Sequence, residues 1–275
     1  MKKTGFAALI LIVQLSFAQT NRFVYQVTMK PNAEDKNDIK IENAYLDIAA
    51  EKSMFYSENR IKRDSVLRAN FQSNGARGFN REQMQSLRSS INYSIEKNKK
   101  DQKTIYKDRI GRDIYSYEEE RPVEWRILSE TTKIGDYKVQ KAETDFAGRK
   151  WTAWFTTDLP YQDGPYKFNG LPGLIVKVED AKGDYSFDLM KNYKISDFPE
   201  MNQFGNVIKV KRKDYIKQQQ KFISDPMSFM SQSAGGIAPP MRGGGNRNQN
   251  PAEMRKRMED RIKEEIKNNS NPIEL

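Results

Sequence analysis

The chain has 275 residues, 47 Lys and Arg against 37 Asp and Glu, a formal net charge of +10, and neither His nor Cys. Without those two residue types there is no Ser-His-Asp triad, no Cys-His pair, no zinc finger, no His-based catalytic metal site and no disulfide. The chemistry that survives is carboxylate acid-base work, a Ser-Lys dyad, or calcium or magnesium held by oxygen ligands.

Residues 1–18 have the features of a secretory signal. Lys2 and Lys3 give a positive start, Gly5 to Val13 is a short apolar run, and Ser16, Phe17 and Ala18 place small residues around a cleavage point after Ala18. The run is too short for a membrane span, which needs about 20 apolar residues, and no later stretch is apolar enough to cross a bilayer. A periplasmic or secreted protein is expected. Acids are interspersed with Lys and Arg almost throughout. That distribution lacks the basic stripe of a nucleic-acid binder, and suits a solvated surface or an anionic envelope partner.

The remainder is rich in strand signals. Phe23, Tyr25 and Val27 alternate with polar neighbours. Tyr45–Ala50 and Ser53–Ser57 flank Glu51 and Lys52 as a hairpin. Residues 60–103 are polar; helical structure is expected around 80–98, with a mobile stretch at Asn74–Gly78. Lys103–Lys107 and Asp113–Tyr117 flank a turn at Ile110–Arg112. Glu124–Leu128, Tyr137–Phe146, Lys150–Thr156, Leu174–Glu179 and Asp184–Ile195 follow. The last alternates Tyr185, Phe187 and Leu189 with Asp184, Ser186 and Asp188, a half-buried pattern. Consecutive hairpins predict a mainly β (α+β) fold, a curled antiparallel meander with peripheral helices over its face and edges.

The last quarter differs. Val210–Ile223 is basic and helical in pattern. Ser231–Asn250 is low in complexity, with five glycines and Pro239–Pro240, and cannot bury a core. Asn250 to Glu253 resembles a capping box with proline at the first helical position. The helix after it spaces Met254, Met258, Ile262 and Ile266 four apart, a narrow apolar stripe. The expected organisation is a signal at 1–18, a β-rich domain at 19–223, a flexible segment at 224–250, and an amphipathic helix with a tail at 251–275.

The most constrained stretch is Gly164 to Ile175, GPYKFNGLPGLI, with three glycines and two prolines leading into a strand. With Tyr137–Ala142, Gly148–Phe155, Pro160 and the closing Asn271–Leu275, it resembles the GLPGLI family of secreted bacterial proteins, named for residues Gly170 to Ile175. The resemblance runs from about Trp125 to Asp180. It implies an exported β-rich protein with no established activity. Gln140 stands where many members carry cysteine, which removes a thiol-based site here. The motif residues Gly148, Trp151, Gly164, Pro165, Gly170, Leu171, Pro172, Gly173, Leu174 and Ile175 are expected to be structural. Gly170 and Gly173 are expected to take backbone angles that a β-carbon would strain.

Trp151, Ala153 and Phe155 fall on one face of their strand and Trp154 on the other. A ligand groove at the corner, walled by Trp154, Tyr161, Tyr166 and Phe168, would suit an apolar or glycan ligand. The competing expectation is that both tryptophans, Trp151 and Trp154, are packing residues. Curled-sheet periplasmic lipoprotein carriers offer an analogy of fold alone.

Weaker patterns carry less. Ser94–Lys97 matches Ser-x-x-Lys without partner motifs, in a segment expected to be exposed. Glu179, Asp180, Asp184 and Asp188 lack EF-hand spacing. Asp158 and Asp163 flank the corner as a carboxylate pair. Met227, Met230, Met241, Met254 and Met258 could attract copper(I), although adaptable packing accounts for them better. Asp64–Val66 matches a short glycan-acceptor pattern. No cofactor and no catalytic residue is expected. The expected role is an exported envelope binding or accessory protein, with an envelope protein or an apolar ligand as partner. An apolar-ligand carrier and a carboxylate-dependent hydrolase stand as alternatives.

Overall fold

The computed structural model describes residues 19–73, 81–199, 207–232 and 251–275. The expected signal at 1–18, the stretch at Asn74–Gly78 and residues 233–250 lie outside them.

Twelve strands form one sheet. The first half comprises β1 (Thr20–Met29), β2 (Lys40–Ile48), β3 (Lys52–Ser57), β4 (Ser94–Asn98), β5 (Lys103–Ile110) and β6 (Asp113–Glu118). The second comprises β7 (Arg126–Ile134), β8 (Tyr137–Phe146), β9 (Arg149–Thr156), β10 (Leu174–Asp180) and β11 (Tyr185–Ile195). Each half is an antiparallel meander, and the two are joined where β1 pairs with β11. β12 (Val207–Lys209) adds a short parallel edge to β6, so the sheet is mixed. Three residues are too few to show periodicity, which is why this strand escapes a sequence reading. The fold class is otherwise as expected: mostly β, open, with few helices.

The sheet is strongly curled. β3 and β11 are three strands apart in the order. A flat sheet would separate them by roughly 14 Å, yet the rings of Phe55 and Phe187 approach to 6.0 Å. The concave face carries the main core, including Phe23, Tyr25, Leu46, Phe55, Trp151 and Phe187. The convex face has a small second cluster of Val24, Tyr45, Met54 and Tyr56, covered by Ile61 and Phe198. There Arg22 donates two 2.7 Å hydrogen bonds to Asp47. A bulge at Val24–Tyr25 against β11 leaves Met190 facing water at 58% exposure.

The helices are α1 (Glu58–Ser73), α2 (Arg81–Ser86), α3 (Arg212–Ser224), α4 (Pro226–Gln232) and α5 (Pro251–Asn268). Three of them correct sequence expectations. α1 occupies a polar run with almost no periodicity; it forms because Ile61 caps the convex cluster, a contact invisible locally. Helix was expected through residue 98, but residues 94–98 form β4, because the strand pairs with both β3 and β5. Backbone ladders on two sides outweigh local propensity. α4 opens the segment expected to be flexible: Asp225 accepts from Ser228 N–H at 3.0 Å, and Phe222 packs edge-on to Phe229. No helix among the described residues is long and apolar enough to cross a membrane.

Candidate functional site

The corner between β9 and β10 does not lie on the surface. It turns inward as a loop, residues 161–173, and fills the concavity. Tyr166 is 1% exposed and Phe168 is 0% exposed. Phe168 packs against Trp151 at 4.9 Å, and Tyr166 stacks on Phe187 at 6.4 Å. On the other side Tyr166 meets Tyr93, at 5.5 Å, just before β4. The loop thus bridges the two meanders.

The four expected groove residues are therefore not brought together. Tyr166 and Phe168 are core, and Tyr161 packs edge-on to Phe23 at 5.3 Å from the loop's start. Trp154 lies on the opposite face, half-buried, opposite Lys141 and Lys177 in the neighbouring strands. Strand alternation separates it from the rings it was grouped with.

Most of the structural motif residues have a physical task. Leu171, Leu174 and Ile175 are buried. Trp151 is buried, with its indole N–H donating to Phe146 O at 3.1 Å. Pro165 precedes Tyr166, and Pro165 O accepts from Phe168 N–H at 3.2 Å. Pro172 follows Leu171 where the loop turns back to β10. A β-carbon at Gly164 would stand 2.7 Å from Ile175 Cδ1. Gly170 has φ +87°, as expected. Gly173 does not need an unusual angle: its hydrogen faces Thr156, whose carbonyl oxygen would stand 2.0 Å from a β-carbon. Gly148, at φ +83°, is covered by Leu275. Tyr166 itself adopts φ +54°, a strain of about 1–2 kcal/mol that its burial offsets.

Two buried lysines anchor the loop. Lys97 of β4 donates to Asp163 Oδ1 at 2.7 Å, Gly164 O at 2.7 Å and Phe168 O at 2.8 Å. All three ammonium hydrogens are therefore satisfied. Lys167, within the loop, donates to Tyr117 OH at 2.8 Å, Glu119 Oε2 at 2.7 Å and Glu274 Oε1. The rings of Tyr106, Tyr117 and Tyr166 surround its ammonium at 4.7 to 5.4 Å. Burial pulls the Lys167 ammonium below its usual range, while Glu274 and Glu119 work against that. Burial alone would push the Glu274 carboxyl up; Lys167, Tyr166 and Arg121 outweigh it and bring it down to about 2.

Glu274 belongs to the segment Asn271–Leu275, which is held along its whole length. Arg149, whose side chain is 1% exposed, uses all its donors. It bonds Asp180 at 2.8 Å, Asp184 at 3.3 Å, Asn271 Oδ1 at 2.7 Å, Pro272 O at 2.7 Å and Ile273 O at 3.1 Å. Tyr185 OH donates to Asn271 O at 2.6 Å, and Asn271 Nδ2 donates to Lys30 O at 2.7 Å. Glu274 Oε2 accepts from Arg121 at 2.8 Å and from Arg212 at 3.1 Å. Leu275 N–H donates to Ala147 O at 2.9 Å. The site is thus a groove of paired charges, Arg149 with Asp180 and Asp184, and Lys167 and Arg121 with Glu119, in which the segment bearing Glu274 is seated. Lys97, Arg149, Lys167 and Glu274 all lie in or near the singled-out blocks. Nothing local in the sequence marks their burial, because Lys, Arg and Glu are almost never fully buried unless paired.

The weaker patterns resolve simply. Ser94 and Lys97 are both buried rather than exposed, and the strand sends them to opposite faces, so they form no dyad. The residues around them pack on both sides of β4, which the polar sequence concealed. Asp163 pairs with Lys97 at 2.7 Å, whereas Asp158 is exposed. Asp180 and Asp184 serve Arg149. Among the described residues no cluster of three or more acids is placed to hold a metal ion. Met241 lies outside the described residues; Met227 and Met254 are half-buried and Met258 is exposed.

Fold and site together define a class: a β-rich protein on a curled, open sheet filled by its own loop. A family model described as a protein of unknown function (Porph_ging) matches residues 145–177. That stretch spans β9 and the inner loop and includes Gly170–Ile175, so it is compatible with the GLPGLI resemblance. No curated protein matches the chain. Two solved structures of PNGF-II, in different crystal forms, superpose with TM-scores of 0.53 and 0.52 at 19% identity. They cover 74% and 73% of this chain, which spans about a third of theirs, 34% and 32%. At that identity the likeness is one of fold.

Proposed function

We propose that the chain is an exported cell-envelope accessory protein that works by binding another protein. One observation supports this above the others: the concavity of the curled sheet is filled by Tyr166, Phe168 and Leu171 of the chain itself. A carrier of apolar ligands needs a pocket of about 300–1,000 Å³. A hollow of about 450 Å³ is present, but it lies outside the sheet between α1 and α2, lined by Ile61, Val66 and Leu87. The carrier reading would have to use that hollow. A hydrolase reading would rest on Asp108, whose carboxyl is raised by burial while the hydroxyls of Tyr215 and Tyr106 and the N–H of Arg109 hold it down. The hollow beside it, about 10 Å³, is lined by Arg60, Lys107 and Arg109 and by no second acid among the described residues.

Export is tested by sequencing the N-terminus of chain recovered from the envelope fraction. A start at or near Gln19 is expected; a chain still bearing Met1 overturns it. The binding mode is tested on the same material. A discrete protein retained at fixed stoichiometry is expected, and the solvent extract should contain no stoichiometric lipid. Stoichiometric lipid would establish the carrier instead.

A further inference from the structure

The segment Asn271–Leu275 is held as a bound peptide is held. Its backbone carbonyls at Pro272 and Ile273 are read by one guanidinium, that of Arg149. Its amide side chain at Asn271 is met by Arg149 and by Lys30 O. Its carboxylate at Glu274 is enclosed by Lys167, Arg121 and Arg212. The groove-forming groups come from β9, the inner loop, the stretch after β6 and α3, all elements fixed by other contacts. By contrast, among the described residues the helix that delivers the segment has few contacts. α5 makes its main contact with α4, and Met258 on its apolar stripe is 42% exposed. Residues 233–250 separate α4 from α5, about 18 residues that can span up to roughly 60 Å.

We propose that this groove is a peptide-binding site for an Asn-Pro-x-Glu segment, and that its alternative occupant is the same segment of a second copy of this chain. The recognition chemistry is complete within five residues and independent of α5. In length alone, 18 residues at full extension are enough for the segment to reach a second molecule. Exchange of an identical element between protomers adds no new contact type. The cis segment competes at its high effective concentration, so occupancy in trans grows with protein concentration. This goes beyond the accessory role above and holds whether or not the chain is exported.

The test uses a chain ending at Asn268 and a dye-labelled, amidated peptide spanning Ser270–Leu275, followed by fluorescence anisotropy. Saturable binding is expected, weakened at least tenfold by Glu274→Gln in the peptide. The intact chain, its groove filled, should bind far less. If the shortened chain does not fold, full-length Glu274→Gln decides: the natural peptide should bind it better than it binds the unaltered chain. Absence of binding to the folded variant overturns the site. The second occupant is tested by mixing Ala33→Cys chains with Ser270→Cys chains, since Ala33 N–H donates to Ser270 Oγ at 3.1 Å. The natural chain has no cysteine. Mixed disulfide-linked dimers, in excess over those from either variant alone and rising with concentration, are expected. If none form while the peptide still binds, the groove closes only in cis and the proposed partner is wrong.

Discussion

Gly173 lies directly beneath the carbonyl of Thr156, so close that a β-carbon on it would stand 2.0 Å from the oxygen and 2.6 Å from the carbonyl carbon. The obstacle is backbone, which cannot rotate away as a side chain could. Gly173→Ala should therefore cost about 3 kcal/mol or more, the upper part of the overpacking range. Gly170→Ala meets nothing within 4 Å and faces only its φ of +87°, a cost of about 1–2 kcal/mol. Parallel denaturant melts separate the two. Equal losses would mean that angle, not approach, sets the constraint at both positions.

Lys167→Met should be among the most damaging single changes. It keeps most of the aliphatic stem but removes the ammonium between Glu119 and Glu274, leaving Arg121 and Arg212 as their remaining cations. Removing one partner of a buried ion pair costs about 3–5 kcal/mol. The loss should be largest at pH 7 and should shrink in acid, as Glu119 and Glu274, short of one cation, protonate. Urea melts of both proteins at pH 7 and pH 4 measure this. A pH-independent difference would point to lost packing against the tyrosine rings instead.

Glu274 makes the pH dependence directional. Its folded value, about 2, lies below its ordinary 4.5. A depressed carboxyl contributes stability that is fully present above about 4.5 and is lost as pH falls toward about 2. The shift corresponds to roughly 3 kcal/mol. Glu274→Gln should therefore be less stable than the natural chain at pH 6, and the gap should close between about pH 4.5 and pH 2. A gap that stays constant through that window would remove Glu274 from the ion cluster.

Trp154 and Trp151 should behave as opposites despite their proximity in sequence. Trp151 is 2% exposed within the core, so Trp151→Ala should cost about 3–5 kcal/mol. Trp154 is half-buried beside the Lys141 ammonium, 5.9 Å from its ring, and Trp154→Ala should cost about 1 kcal/mol or less. Calorimetric melting of the two variants decides. A large loss for Trp154→Ala would mean that the convex face is covered.

Hairpins were legible because their signals are local. β5 and β6 are announced by alternation on either side of Ile110–Arg112, and β11 by the alternation of Tyr185, Phe187 and Leu189. α5 was legible from proline at its first position and from its four-residue stripe. The candidate site was legible only as a set of conspicuous blocks. Nothing within Gly164–Ile175 says that the loop turns inward; that depends on Lys97, some 66 residues earlier, meeting Asp163.

Local pattern thus determined most strands, though not β4 or β12, and most turns and the closing helix, since alternation, helical spacing and glycine punctuation act over a few residues. Tertiary structure alone decided which face each aromatic serves, the pairing of β1 with β11, and the burial of Lys97, Lys167 and Arg149. Those outcomes turn on closing the sheet. Curling brings distant strands within reach, and only then does a charged side chain find enough partners to leave water.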